Sequence, residues 1–196
     1  MERKALIERK TKETVISLNI SLDGQGDSSI NSGIGFFDHM LELFAKHGLF
    51  NVELNAKGDL EVDFHHTVED TGIVLGQAVK KALGDKAGII RYGTAFVPMD
   101  ESLAMVSLDL SSRPYLVFDM PGLPEKVGDM DTELFEEFFR AVSIHAGINL
   151  HIKVHYGSNG HHMIEAVFKA FAQALDKAVQ KDERIIGVLS TKGTLE

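Results

Sequence analysis

Apolar side chains recur along this chain at two alternating periods, and the same succession occurs twice. Lys4–Lys10 and residues 13–22 alternate polar with apolar positions, the period-two pattern of half-buried strands. Residues 36–48 shift to helical spacing, residues 50–54 return to alternation, and residues 66–83 are helical again up to Gly84, a residue suited to ending a helix. The second half repeats the order. Residues 91–96, 103–110 and 114–118 predict strands, 134–146 a helix, 148–155 a strand, and the stretch opening at Gly160 a helix. The matched helices even share residues, Gly76-Gln77-Ala78-Val79 against Ala172-Gln173-Ala174-Leu175.

This pattern predicts an α+β fold with an internal duplication: two similar halves, each a roughly four-stranded mixed sheet with two helices on one face. The first half spans residues 1–87 and the second 88–196. Pro121, Gly122, Pro124 and Gly128 mark residues 120–131 as a mobile surface excursion.

The repeat carries chemistry. His65-His66-Thr67-Val68-Glu69 returns as His161-His162-Met163-Ile164-Glu165 at the start of the corresponding helix. A single His-His doublet reads as an exposed helix start. Two doublets, each with glutamate at one offset inside a longer repeat, point to metal. Neighbours on a helix diverge by ~100°, so His65 and His66 serve different ions, and Glu69, at i+4 from one and i+3 from the other, shares a face with either. Two copies offer four imidazoles and two carboxylates, a donor set suited to Mn²⁺ or Fe²⁺, with Zn²⁺ ranked behind. His39 aligns with Glu137, which raises both as ligands. His47 and His145, at helix C-terminal ends, and His151 and His155, on a strand face, are assigned to structure.

Composition narrows the class. The net charge of −9 leaves no electrostatic footprint for nonspecific nucleic-acid binding, and zero cysteines exclude disulfides, zinc–thiolate sites and iron–sulfur clusters. The polar start and the lack of any apolar run near ~20 residues predict a cytoplasmic protein outside the membrane. Within this acidic chain Arg91, Arg113, Lys169, Ser190 and Lys192 are the donors that a phosphate monoester needs. Glu13, Asp100 and Glu101 are carboxylates at strand starts and candidates for acid–base work. A metal-dependent hydrolase, a metal-storage shell and a binding module are the alternatives.

Phe37-Asp38-His39-Met40-Leu41, His65-His66-Thr67-Val68-Glu69-Asp70, Pro98-Met99-Asp100-Glu101, Arg113-Pro114-Tyr115, Asn159-Gly160-His161-His162 and Ser190-Thr191-Lys192-Gly193 together resemble the imidazoleglycerol-phosphate dehydratase family, over nearly the whole chain. The resemblance is to its monofunctional form and implies a fold like domain 2 of ribosomal protein S5. It implies conversion of imidazole glycerol phosphate to imidazole acetol phosphate in L-histidine biosynthesis. It also implies two Mn²⁺ per active site, held by His39, His65, His66, Glu69, Glu137, His161, His162 and Glu165. Family members can carry histidine at the position of Glu137, and glycine is common at that of Ser112. The implied phosphate pocket is Arg91, Arg113, Lys169, Ser190 and Lys192, with Glu13 contacting substrate. Glu13, Glu69 and Glu165 are the candidates for moving protons. The family's assembly into trimers and a 24-subunit shell, with active sites between subunits, is the expected quaternary state.

Overall fold

The computed structural model describes residues 3–195. The first half supplies strands β1 (Lys4–Lys10), β2 (Thr14–Ser21), β3 (Ser28–Asn31) and β4 (Asn51–Gly58), with helices α1 (Gly35–Gly48) and α2 (His65–Leu83). The second supplies β5 (Tyr92–Met99), β6 (Ser102–Asp109), β7 (Tyr115–Asp119), a small hairpin β8 (Lys126–Val127) and β9 (Met130–Asp131), α3 (Glu133–Ala146), β10 (Asn149–Tyr156) and α4 (Gly160–Val179). The two sheets share one topology. Their strand orders are β1-β2-β4-β3 and β5-β6-β10-β7, each with two antiparallel pairings and a parallel edge strand.

The longer strands alternate as the sequence predicts. On β2, Thr14, Ile16, Leu18 and Ile20 are buried while Val15 and Asn19 face outward. α2 packs on β1 and β2, and α4 on β5 and β6. Each also packs on a helix of the other half, α2 on α3 and α4 on α1, so the helices fill the space between the sheets. α2 and α3 approach closely because glycines line the contact. A methyl group at Gly72 would stand 2.7 Å from the Phe138 carbonyl oxygen, and one at Gly76 2.9 Å from that of Val142. At the centre Phe37, Phe138, Phe139 and Phe168 form an aromatic cluster joining α1, α3 and α4.

Two features depart from the sequence reading. Residues 120–131 lie largely on the surface, as expected, but carry a short hairpin that the sequence did not predict. β8 pairs with β9, Met130 is buried, and the Thr132 hydroxyl donates to the Pro124 carbonyl. Pro124 and Val127 press on Gly160, the first residue of α4. β3 was not among the predicted strands, because Ser28–Asn31 contains one apolar residue and its place comes from parallel pairing to β4.

A partly buried ion pair ties α2 to its own sheet. The Asp70 carboxylate lies 2.9 Å from an Arg9 guanidinium nitrogen and accepts from the Thr14 hydroxyl. This fixes the first turns of α2 against the β1–β2 turn that carries Glu13.

Candidate metal and substrate site

The first cluster forms where the two halves meet. α1 lies against α4, and this brings His39 beside His161 and Glu165. Glu165 is only 7% exposed. Its Oε2 lies 3.2 Å from His161 Nε2 and 3.9 Å from His39 Nε2, while Oε1 accepts from Lys169 at 2.6 Å. Burial alone would raise its pKa. The Lys169 hydrogen bond and charge, together with His39 and His161, outweigh that and hold the carboxyl below its ordinary value. His39, His161 and Glu165 each offer one ligand atom within 4.8 Å of the others, so two imidazoles and a carboxylate fit a divalent ion.

The second cluster is the repeat-related one. His65 Nε2 lies 3.7 Å from Glu69 Oε2 on the first turns of α2. α3 runs alongside and carries Glu137, whose carboxylate meets Arg140 at 3.4 Å. Among the described residues Glu137 joins no three-ligand group in this chain.

The second histidine of each doublet diverges, as the helical geometry requires. His65 and His66 rings are inclined at 83°, and those of His161 and His162 at 82°. His66 Nδ1 meets Asp59 at 3.0 Å and its Nε2 lies 4.0 Å from Glu13. His162 Nδ1 meets Glu101 at 2.7 Å and its Nε2 lies 3.9 Å from Asp100. The carboxylate partners Asp59 and Glu101 raise the pKa of His66 and His162 respectively, and the His162 hydrogen bond, with the backbone N–H of Asn159, depresses that of Glu101 strongly.

The cationic residues gather elsewhere. Arg91, Arg113, Ser190 and Lys192 line a cavity of about 660 Å³, together with Arg184 and the tail from residue 185. Arg91 is clamped to Asp109 by bonds of 2.7 and 3.0 Å and donates to the Leu189 carbonyl at 2.6 Å. It therefore anchors the tail as well as charging the cavity. Lys169 lies outside this cavity, on Glu165 and near Met99 sulfur at 3.5 Å. No histidine of either cluster lines the cavity.

Asp59 and Asp109 escaped the sequence reading. Asp59 lies in the loop after β4 with no motif around it. Asp109 would have been visible only with the β5–β6 register, which sets it opposite Tyr92, next to Arg91. Glu101 was singled out as an acid–base candidate, but it is bound up with His162 and the Ser158 and Asn159 amides. Ser112 has φ of 64°, the left-handed region, which explains why glycine suits that position and puts the cost of serine at roughly 1 kcal/mol.

Among the solved structures that share this architecture are two dehydratases. One, from Staphylococcus aureus, has a TM-score of 0.83 at 46% identity, covering 91% of this chain and 99% of that one. The other, from Pyrococcus furiosus in complex with (S)-C348, has a TM-score of 0.84 at 35% identity, covering 96% and 100%. The imidazoleglycerol-phosphate dehydratase family model matches residues 32–175. A relative from Acetivibrio thermocellus bearing that name is 66% identical over 195 residues, 100% of both chains. One from Geobacter metallireducens is 60% identical over 195 residues, again 100% of both. The chain belongs to the imidazoleglycerol-phosphate dehydratase family, hydro-lyases of histidine biosynthesis. Among the described residues, no helix is long and apolar enough to cross a membrane.

Proposed function

We propose that this protein converts imidazole glycerol phosphate to imidazole acetol phosphate in the cytoplasm, using two divalent ions per active site, Mn²⁺ before Fe²⁺ or Zn²⁺. The observation that carries this reading is the convergence of His39, His161 and Glu165 from opposite halves of a chain in this family. His39, His161 and Glu165 hold one ion. His65 and Glu69, with Glu137 as the counterpart of His39, hold the other, and His66 and His162 complete the sets. We propose residues 1–87 and 88–196 as the two duplicated units.

A divalent ion bound there supplies Lewis acidity to the substrate's imidazole ring. The chain does the rest. Arg113, Ser190 and Lys192 bind the phosphate through charge-assisted hydrogen bonds, and Arg91 holds the tail in place over them. Lys169 keeps Glu165 ionised. Glu13 projects from the β1–β2 turn with its side chain 54% exposed, so it is open to substrate and suited to take the carbon-bound proton, with a proton passed on to the departing hydroxyl so that it leaves as water. Glu69 and Glu165 are the further candidates for proton transfer. Because no cluster histidine lines the cationic cavity, one protomer does not bring phosphate and ring sites into one pocket. Active sites built between protomers, in trimers and a 24-subunit shell, resolve that separation.

The test is product identity: Mn²⁺-loaded protein given imidazole glycerol phosphate yields a ketone, and release of inorganic phosphate instead marks a hydrolase. Lys192→Ala should raise KM roughly 10- to 100-fold, the worth of one charged hydrogen bond, with kcat little changed. Steady-state kinetics read both, and an unchanged KM removes Lys192 from the phosphate site.

A further inference from the structure

The duplication extends to two hairpin glutamates that have taken different jobs. Glu13 precedes Thr14, the first residue of β2, and Glu101 precedes Ser102, the first residue of β6. Both following residues are buried, and both hairpins reach toward the second histidine of a doublet. Glu13 leaves its oxygens largely to solvent, 4.0 Å from His66 Nε2. Glu101 does not. Its Oε2 accepts from His162 Nδ1 at 2.7 Å, and its Oε1 accepts from the Ser102 hydroxyl at 2.9 Å and from the backbone N–H groups of Ser158 at 3.2 Å and Asn159 at 2.8 Å.

In the first half that orienting place is filled from another element. Asp59 follows Gly58 at the end of β4, and both its oxygens face His66 Nδ1, at 3.2 and 3.0 Å. The matching residue after Gly157 is Ser158, which has no carboxylate. A carboxylate is acceptor-only when ionised, so in either half it fixes the proton on Nδ1 and leaves the Nε2 lone pair outward.

We propose that Asp59 and Glu101 are positioning residues that set the tautomer and ring orientation of His66 and His162 for metal binding, and that Asp59 thereby frees Glu13 for substrate. The proposal rests on the metal reading above and assigns it two residues in contact with the ligands. It makes the two carboxylates unequal in what they tolerate. Glutamine at 101 has one acceptor oxygen for four donors. It either abandons the Ser158 and Asn159 amides or turns its NH₂ toward Nδ1, which drives the proton to Nε2. Asparagine at 59 has no competing partner among the contacts of the Asp59 side chain and keeps one oxygen for Nδ1.

The experiment is Mn²⁺ titration of chelator-stripped full-length protein, followed by electron paramagnetic resonance of free Mn²⁺, with circular dichroism to confirm folding. Glu101→Gln should weaken binding at one class of site roughly 10- to 100-fold, the usual effect of losing an orienting partner. That loss should vanish in a His162→Ala background. Asp59→Ala should cost about tenfold, and Asp59→Asn should restore most of it. Asp59 lies in a loop, so its variants still decide the matter if Glu101→Gln does not fold. Wild-type affinity in both Glu101→Gln and Asp59→Ala, with binding lost in His162→Ala, overturns the positioning roles and leaves the metal reading intact. Wild-type affinity in His162→Ala overturns the metal reading at that residue.

Discussion

Glu165→Gln should lower kcat by roughly a thousandfold or more and strip metal from the His39–His161–Glu165 cluster, the scale expected when a site loses both Lewis acidity and an ordered carboxylate. Glutamine keeps the shape of the side chain, so packing survives in the buried position that Glu165 occupies. What goes is the negative charge. An amide binds a divalent ion weakly, and Lys169 loses the carboxylate that it meets at 2.6 Å. Removing one partner of a buried charge pair costs more than the pair is worth, so the first turns of α4 should also loosen. Metal analysis and kcat on the same sample check this. Full metal content with near-normal turnover would mean that the cluster is an ordinary buried ion pair.

Phe138→Ala should destabilise the protomer by about 3–5 kcal/mol, the usual cost of emptying a buried aromatic site. Phe138 is 0% exposed. Its ring lies 5.3 Å from that of Phe37 on α1, 5.1 Å from that of Phe139 and 5.6 Å from that of Phe168 on α4. Its backbone carbonyl is also the atom against which Gly72 of α2 is closed. Elements from both halves therefore meet at this side chain, and they are the elements that carry the proposed ligands. A domain of this size loses about 2–4 °C in Tm per kcal/mol, so the melting temperature should fall by about 10 °C. Thermal unfolding measures it. The apparent affinity for Mn²⁺ should fall too, because metal binds the folded form. A Tm within a degree or two of wild type would show that the cavity collapses and that the two halves do not depend on this contact.

All four helices and the longer strands were legible because apolar positions recur at clean periods over many residues. β3 was not, since a ladder to β4 holds it and its own sequence says little. The β8–β9 hairpin was hidden in a Pro- and Gly-rich stretch that reads as loop. At the site, the doublets and their glutamates stood out as a repeat, and so did the divergence of His65 from His66. Which cluster each proposed ligand joins did not. His39 reaches Glu165 only because α1 lies on α4, a choice of partner helix that no local pattern encodes. Asp59, Asp109 and the binding of Glu101 to His162 depend likewise on loops and register brought together by the fold.

Metal-dependent dehydration is the claim on which the rest turns. Protein stripped by chelation and verified metal-free should show no turnover of imidazole glycerol phosphate, and Mn²⁺ alone should bring it back. Undiminished ketone formation by the verified metal-free protein would contradict the account.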